Sequence, residues 1–196
     1  MKKQLLFLFI ILCGFNFRNN SDTTRWVITN GCSLRVDGST NINDFTCDIS
    51  NYSNPDTILV IRSGPLPVQL HGNIQLDVQT FNCHNGVMTA DLRKTLKVKE
   101  FPRLTIRFIS ISKYPEAGPM QQIAKGMVTI ELAGVSNKFD VDYKIISSDG
   151  INIKMEGSRK INFSDFNLIP PRKLGGMIKT NNELSVVFNL NMKVIK

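Results

Sequence analysis

Six apolar side chains, Leu184, Val186, Phe188, Leu190, Met192 and Val194, alternate with Ser185, Asn189, Asn191 and Lys193 near the end of the chain. A period of two puts successive side chains on opposite faces of an extended backbone, so this stretch is a strand with one dry and one wet face, long enough to cross a whole sheet. The same alternation runs through Val128, Ile130 and Leu132, then Phe139, Val141, Tyr143 and Ile145, then Ile151, Ile153 and Met155. Asp140 and Asp142 share the wet face with Lys144, which makes them solvated surface groups rather than a general acid and base. Weaker strand signals precede these. They are Trp26 to Thr29 and Leu34 to Val36 around a Gly31 break, Phe45, Cys47 and Ile49, Ile58 to Ile61, Val68 to Leu70, and Ile74, Leu76 and Val78. Asp37-Gly38 reads as a hairpin turn, and Ser63-Gly64-Pro65 and His71-Gly72 as breaks.

Only the stretch from Met88 to Ile111 departs from this rhythm. Leu92 and Leu96 are four apart, on one face of a helical turn, with Arg93, Lys94 and Lys97 toward water and Thr89 as a cap, so a short helix is expected near residues 89–98. Phe101-Pro102 then excludes further helix, and Leu104, Ile106 and Phe108 alternate into a strand. Roughly eight to ten strands at short spacing with one helix define an all-β domain, and the long final strands favour an antiparallel barrel over a sandwich. The expected fold is an eight-stranded antiparallel β-barrel with the helix as a plug or lid; a barrel of that size can hold one small ligand.

The chain opens on Met1-Lys2-Lys3-Gln4 and an apolar run from Leu5 to Leu12, the pattern of a secretory leader and too short to anchor as a membrane span. Residues 1–18 are therefore expected to be a signal peptide and 19–196 the barrel domain, exported and periplasmic. Cys13 raises lipidation after cleavage, although Leu12 stands where such signals want a small residue. In an oxidising compartment the remaining Cys32, Cys47 and Cys83 make one pair and one free thiol. Cys47 and Cys83, each beside an aromatic-containing strand segment, are the expected disulfide, and Cys32 a half-buried free thiol.

The net charge of +8 comes from basic residues scattered along strands, with no aromatic-interleaved basic motif, which argues against nucleic acid as a partner. Peripheral contact with an anionic membrane surface fits that charge better. Catalytic signatures are thin: two histidines, His71 and His84, no glycine-rich phosphate loop, no nucleophile elbow and no C-x-x-C. Neither a cofactor nor a metal is expected. What remains is apolar: Met88, Leu92, Leu96, Leu104, Ile106, Phe108, Phe139, Val141, Tyr143, Val186, Phe188 and Leu190 either fill a core or line a cavity. Three readings follow, namely a barrel that holds a small ligand in its cavity, an envelope interaction module with a filled core, and a thiol or metal enzyme using Cys32 or Cys83 with His84.

Several segments taken in order resemble the YceI-like family of exported lipid-binding proteins. They are Gly38 to Cys47 (GSTNINDFTC), Met88 to Leu96 (MTADLRKTL), Glu100 to Phe108 (EFPRLTIRF), Lys125 to Val135 (KGMVTIELAGV) and Ile161 to Pro171 (INFSDFNLIPP), with the last strand. The resemblance implies a lipocalin-like barrel that takes a polyisoprenoid or similar long apolar lipid, such as an isoprenoid quinone precursor, without catalysis. It also implies that Met88, Leu92, Leu96, Phe101, Leu104, Ile106 and Phe108 form pocket wall, joined by Phe166, Phe188 and Leu190. Cys47 and Cys83 look like the cysteine pair that part of the family carries. Head-group contacts would fall to Asn41, Asn43 or Arg103, and a homodimer is left open.

Overall fold

In the computed structural model, which describes residues 21–118 and 121–195, the alternating segments pair into antiparallel ladders. The strands are β1 (Ser21–Ile28), β2 (Cys32–Thr40), β3 (Asp44–Tyr52), β4 (Thr57–Ser63), β5 (Val68–Asp77), β6 (Arg103–Ile111), β7 (Gln122–Leu132), β8 (Val135–Ser148) and β9 (Asn152–Asn162). After them come the two-residue β10 (Arg172–Lys173) and the long β11 (Ile178–Ile195). One helix, α1 (Gly86–Thr95), lies between β5 and β6. Eight strands close a ring in the order β1, β4, β5, β6, β7, β8, β9, β11, with β11 returning to β1. The eight-stranded antiparallel barrel is thus present, with β2 and β3 added to its wall.

Their addition depends on the length of β11. One edge of β11 pairs with β9 from Glu183 to Lys193. The other edge pairs with β2 through Leu184–Gly38, Val186–Val36 and Phe188–Leu34, then passes to β1 through Met192–Ile28 and Val194–Trp26. The β1–β4 pair therefore forms this side of the wall in the lower tier and the β2–β3 pair in the upper tier. Cys32 sits where the edge changes hands. Its sulfur accepts the Asn191 backbone N–H at 3.2 Å and donates to the Thr29 carbonyl at 3.2 Å, completing the ladder at the exchange point. It is free and fully buried rather than half-buried, and burial pushes the thiol up, against smaller opposing effects of its hydrogen bonds with Asn191 and Thr29.

The two tiers are filled differently. In the lower tier the Trp26 and Tyr114 rings lie 5.6 Å apart, with the Arg62 guanidinium 4.4 Å above Tyr114, so the β6–β7 connection covers that end. Gly126 on β7 and Gly157 on β9 face inward, and a Cβ at either would overlap the ring of Tyr143 or Phe188 respectively. Those two rings meet edge to face at 5.9 Å. Large rings laid over glycines fill this half to close packing. In the upper tier the inward faces are mainly aliphatic, with Phe81 among them.

Several local expectations change. The helix begins three residues earlier than its pattern indicated, because Asn85 is the cap and accepts from the Met88 N–H at 3.0 Å. Thr89 is instead buried inside the first turns, its hydroxyl accepting from the Cys83 N–H at 3.0 Å. The helix ends at Thr95, before Phe101-Pro102, because Lys97 is left-handed (φ 53°). Arg93 is half-buried and donates to the Phe81 carbonyl at 2.9 Å rather than facing water. Asp37-Gly38 is not a turn: Gly38 lies within β2, where a Cβ would strike Phe45 and Leu184, and the chain reverses at Asn41–Asn43 instead. His71-Gly72 likewise lies inside β5, at an irregularity of its pairing with β6. A β10–β11 hairpin precedes Leu184, so the last strand begins six residues before that leucine.

Candidate functional site

Helix α1 crosses the upper end of the barrel with Leu92 and Leu96 buried beneath it. Under and beside it three apolar cavities lie in sequence. A mouth cavity of about 270 Å³ opens between α1, the β2–β3 turn and the β10–β11 hairpin, with Phe45, Met88, Leu92, Phe163 and Ile178 in its wall. Below it is an enclosed cavity of about 60 Å³ with an entirely apolar lining, including Val36, Leu92, Leu96, Leu104, Ile130 and Leu184. A third, of about 20 Å³, reaches Phe108, Phe188 and Leu190 where the lower tier begins.

Single side chains separate these spaces. Leu92 borders both the mouth and the enclosed cavity, and Leu34 and Ile106 border both the enclosed cavity and the third. Leucine and isoleucine side chains make no hydrogen bond, so the channel these cavities outline is divided at these points by aliphatic groups whose rotation breaks none. The channel offers an extended apolar chain contact with no polar side-chain partner in the enclosed section.

Of the expected wall residues, the structure gathers Met88, Leu92, Leu96, Leu104, Ile106, Phe108, Phe188 and Leu190 along this line. Phe101 is elsewhere: its ring packs on the β7–β8 turn at Gly134, where a Cβ would overlap it. Phe139 and Phe166 pack on each other at 5.8 Å and Tyr143 fills the lower tier, none of them bordering these three cavities. Leu34, Val36, Ile130, Ile161 and Val186 complete the wall. Their alternation marked them as inward-facing, but period two does not say at which height along the barrel an inward residue stands.

Of the polar groups proposed for a head group, Asn41 is occupied in holding the mouth together. Its amide donates to the Met177 carbonyl at 2.9 Å and its carbonyl accepts from the Lys179 N–H at 2.8 Å. Asn43 is bound to Thr40 across the same turn, its side-chain carbonyl accepting the Thr40 hydroxyl at 2.7 Å. Arg103 donates to Gln75 at 2.9 Å on the flank of the barrel, beside a polar cleft of about 570 Å³ between β3 and β5.

That cleft exists because β3 and β5 are not paired along their facing edges. They are tied at the upper end by the Cys47–Cys83 disulfide and the Asp48–Asn82 bridge. The disulfide consumes the thiol of Cys83, and the adjacent His84 is held by the Asp48 carboxylate at 2.8 Å. No group of three metal-ligating side chains occurs among the described residues. In the cleft the Tyr52 hydroxyl donates to Asp56 and is pushed up to about 12, first by burial and then by that carboxylate. Tyr143 is raised as well, by burial alone.

These phenols keep their protons in the folded state at a pH where the unfolded chain, with tyrosines near 10, has begun to release them. A raised phenol thus contributes stability that is complete below pH 10 and lost as pH climbs toward about 12. The thermal midpoint should fall across that window and fall less steeply in Tyr52→Phe, measured by circular dichroism at matched ionic strength.

An eight-stranded antiparallel barrel, packed solid at one end and carrying an apolar channel under a helix at the other, is a barrel of the lipocalin-like class. The chain belongs to the family of the YceI-like domain, whose model matches residues 17–192. The fold is similar to a polyisoprenoid binding domain from Saccharophagus degradans implicated in plant cell wall breakdown. That likeness has a TM-score of 0.59 at 13% identity and covers 89% of this chain and 100% of that one. It is equally similar to BcnA of Burkholderia cenocepacia, with a TM-score of 0.60 at 14% identity over 84% of this chain and 96% of that one. No curated protein sequence matches the chain.

Proposed function

We propose that this protein is a non-catalytic carrier that holds a long, thin apolar lipid, a polyisoprenoid or an isoprenoid quinone precursor, with its tail threaded below α1. The observation that carries the reading is the line of apolar cavities from the mouth to Phe108, interrupted only by Leu92, Leu34 and Ile106. The polyisoprenoid-binding domain with the same fold supports the choice of lipid. A tail that buries about 300 Å² gains roughly 7 kcal/mol at ~25 cal/mol per Å², against association costs of several kcal/mol. Affinity should therefore rise with tail length until the channel is full. The leader-like segment before residue 19 supports export to the periplasm as the place of work.

A second reading, an envelope interaction barrel with a filled core, draws on the small volume of the two inner cavities, about 60 and 20 Å³. Leu92 decides between the two. Leu92→Ala joins the mouth to the enclosed cavity and should increase uptake of a prenyl lipid, while costing about 2–3 kcal/mol of stability for the lost side chain. Leu92→Trp fills the junction and should reduce uptake at least tenfold. Native mass spectrometry after incubation with a prenyl alcohol reads both. Bare protein in every case, wild type included, would establish the filled-core reading.

A further inference from the structure

The geometry points to the β10–β11 hairpin as the element that docks the barrel on an anionic lipid bilayer, apolar tip first, so that the mouth opens at the membrane surface. This rests on the lipid-carrier reading of the cavity that the hairpin flanks. Leu174 and Met177 at the tip are 66% and 70% exposed. Between them Gly175 and Gly176 are left-handed (φ 65° and 98°), and Leu174 itself has φ 50°, a conformation a leucine seldom adopts. The bend carries the two apolar side chains outward rather than onto the barrel.

Behind the tip, Arg172 and Lys179 are direct cross-strand partners, both exposed, and among the described residues neither makes an ion pair with a carboxylate. Like charges placed opposite each other on a ladder repel, so this pair is relieved by an external anion. Lys173, beside them, is already paired with Asp91 at 2.5 Å. Asn41 ties the β2–β3 turn to the hairpin and brings in Ile42, itself 65% exposed and part of the mouth wall. Apolar groups at the tip with cations a residue or two behind match the depth profile of a bilayer interface, where phosphates lie above the acyl chains. A lipid tail leaving the membrane there would meet the mouth cavity directly.

Flotation of the full chain with phosphatidylcholine vesicles, with and without phosphatidylglycerol, tests this. Wild type should bind the anionic vesicles and lose binding as salt is raised. Replacing Arg172 and Lys179 by glutamine should weaken that binding roughly fivefold per charge, and Leu174→Asp with Met177→Asp should abolish it. Ile151→Asp, at an apolar site that is 56% exposed at the opposite end, should bind like wild type. The proposal is overturned if wild type ignores anionic vesicles, if the hairpin variants bind unchanged, or if Ile151→Asp does equal damage. Leu92→Trp separates the two readings. Vesicle binding retained by a variant that takes up no lipid supports docking on its own, whereas lipid uptake without vesicle binding in wild type removes docking and leaves the carrier standing.

Discussion

Replacing Cys47 and Cys83 together by alanine should lower the stability of the barrel by about 4 kcal/mol, the loop-closure value for a cross-link spanning a separation of 36 residues. Few single linkages here should matter as much, because this one closes the side of the upper tier, between β3 and β5, that lacks a ladder. Between β3 and the segment after β5, the Asp48–Asn82 bridge and the His84–Asp48 contact would remain of the tie at the upper end. Urea unfolding of the oxidised protein, the reduced protein and the double variant measures the effect. A loss under about 1 kcal/mol would show that side-chain packing across the cleft, not the cross-link, holds the seam. Because Cys83 also positions the buried Thr89 contact at the start of α1, reduction should loosen the helix over the mouth before the barrel unfolds. Hydrogen exchange at Met88 to Leu92 would report that order.

The second large effect is expected at Gly157. The Phe188 ring lies where a Cβ would stand, Phe188 is the cross-strand partner of Gly157, and the Tyr143 ring closes the space on the other side. No rotamer of a larger residue fits without moving the ring, so Gly157→Val should cost about 3 kcal/mol, at the upper end of overpacking penalties. Shortening the ring partner should recover part of it. Gly157→Ala combined with Phe188→Leu should be less damaging than the sum of the two single changes, a coupling that thermal melts of all four proteins resolve. Strict additivity would mean that ring and glycine are not in contact.

Much of the architecture is legible without coordinates, for a physical reason. Alternation survives in a barrel because every strand has one face inside and one in water, so β6 to β9 and the second half of β11 are marked residue by residue. The cysteine pairing follows from an odd count and from strand neighbours. The details that escape are those set by tertiary contact. Gly38 and Gly72 look like turn residues, yet they are strand positions where another chain segment comes too close for a side chain. Thr89 looks like a cap because its hydroxyl is suited to one, but Asn85 reaches the helix start first and Thr89 bonds to Cys83.

The candidate site divides along the same line. Inward position is visible in the sequence; height is not. Phe108, Phe188 and Tyr143 carry the same pattern, yet the first two reach the end of the cavity line and the third lies wholly in the packed half. Phe101 is apolar and follows the helix, but the turn at Gly134 receives it. Which aromatic residues border the cavities therefore depends on where the glycines of opposing strands leave room.

The change of partner along one edge of β11 gives the molecule a division of labour. The lower ring, stacked from aromatic rings on glycine and capped by Trp26 and Tyr114, acts as a foundation that holds strand tilt and circumference constant. The upper ring, with a different strand pair, a pinned seam and mainly aliphatic walls, is a replaceable storey above it. Changes at Val36, Ile130 or Leu184 can lengthen, widen or fill the channel without disturbing the course below. A barrel built this way can change the shape of its upper cavities while its closure stays the same.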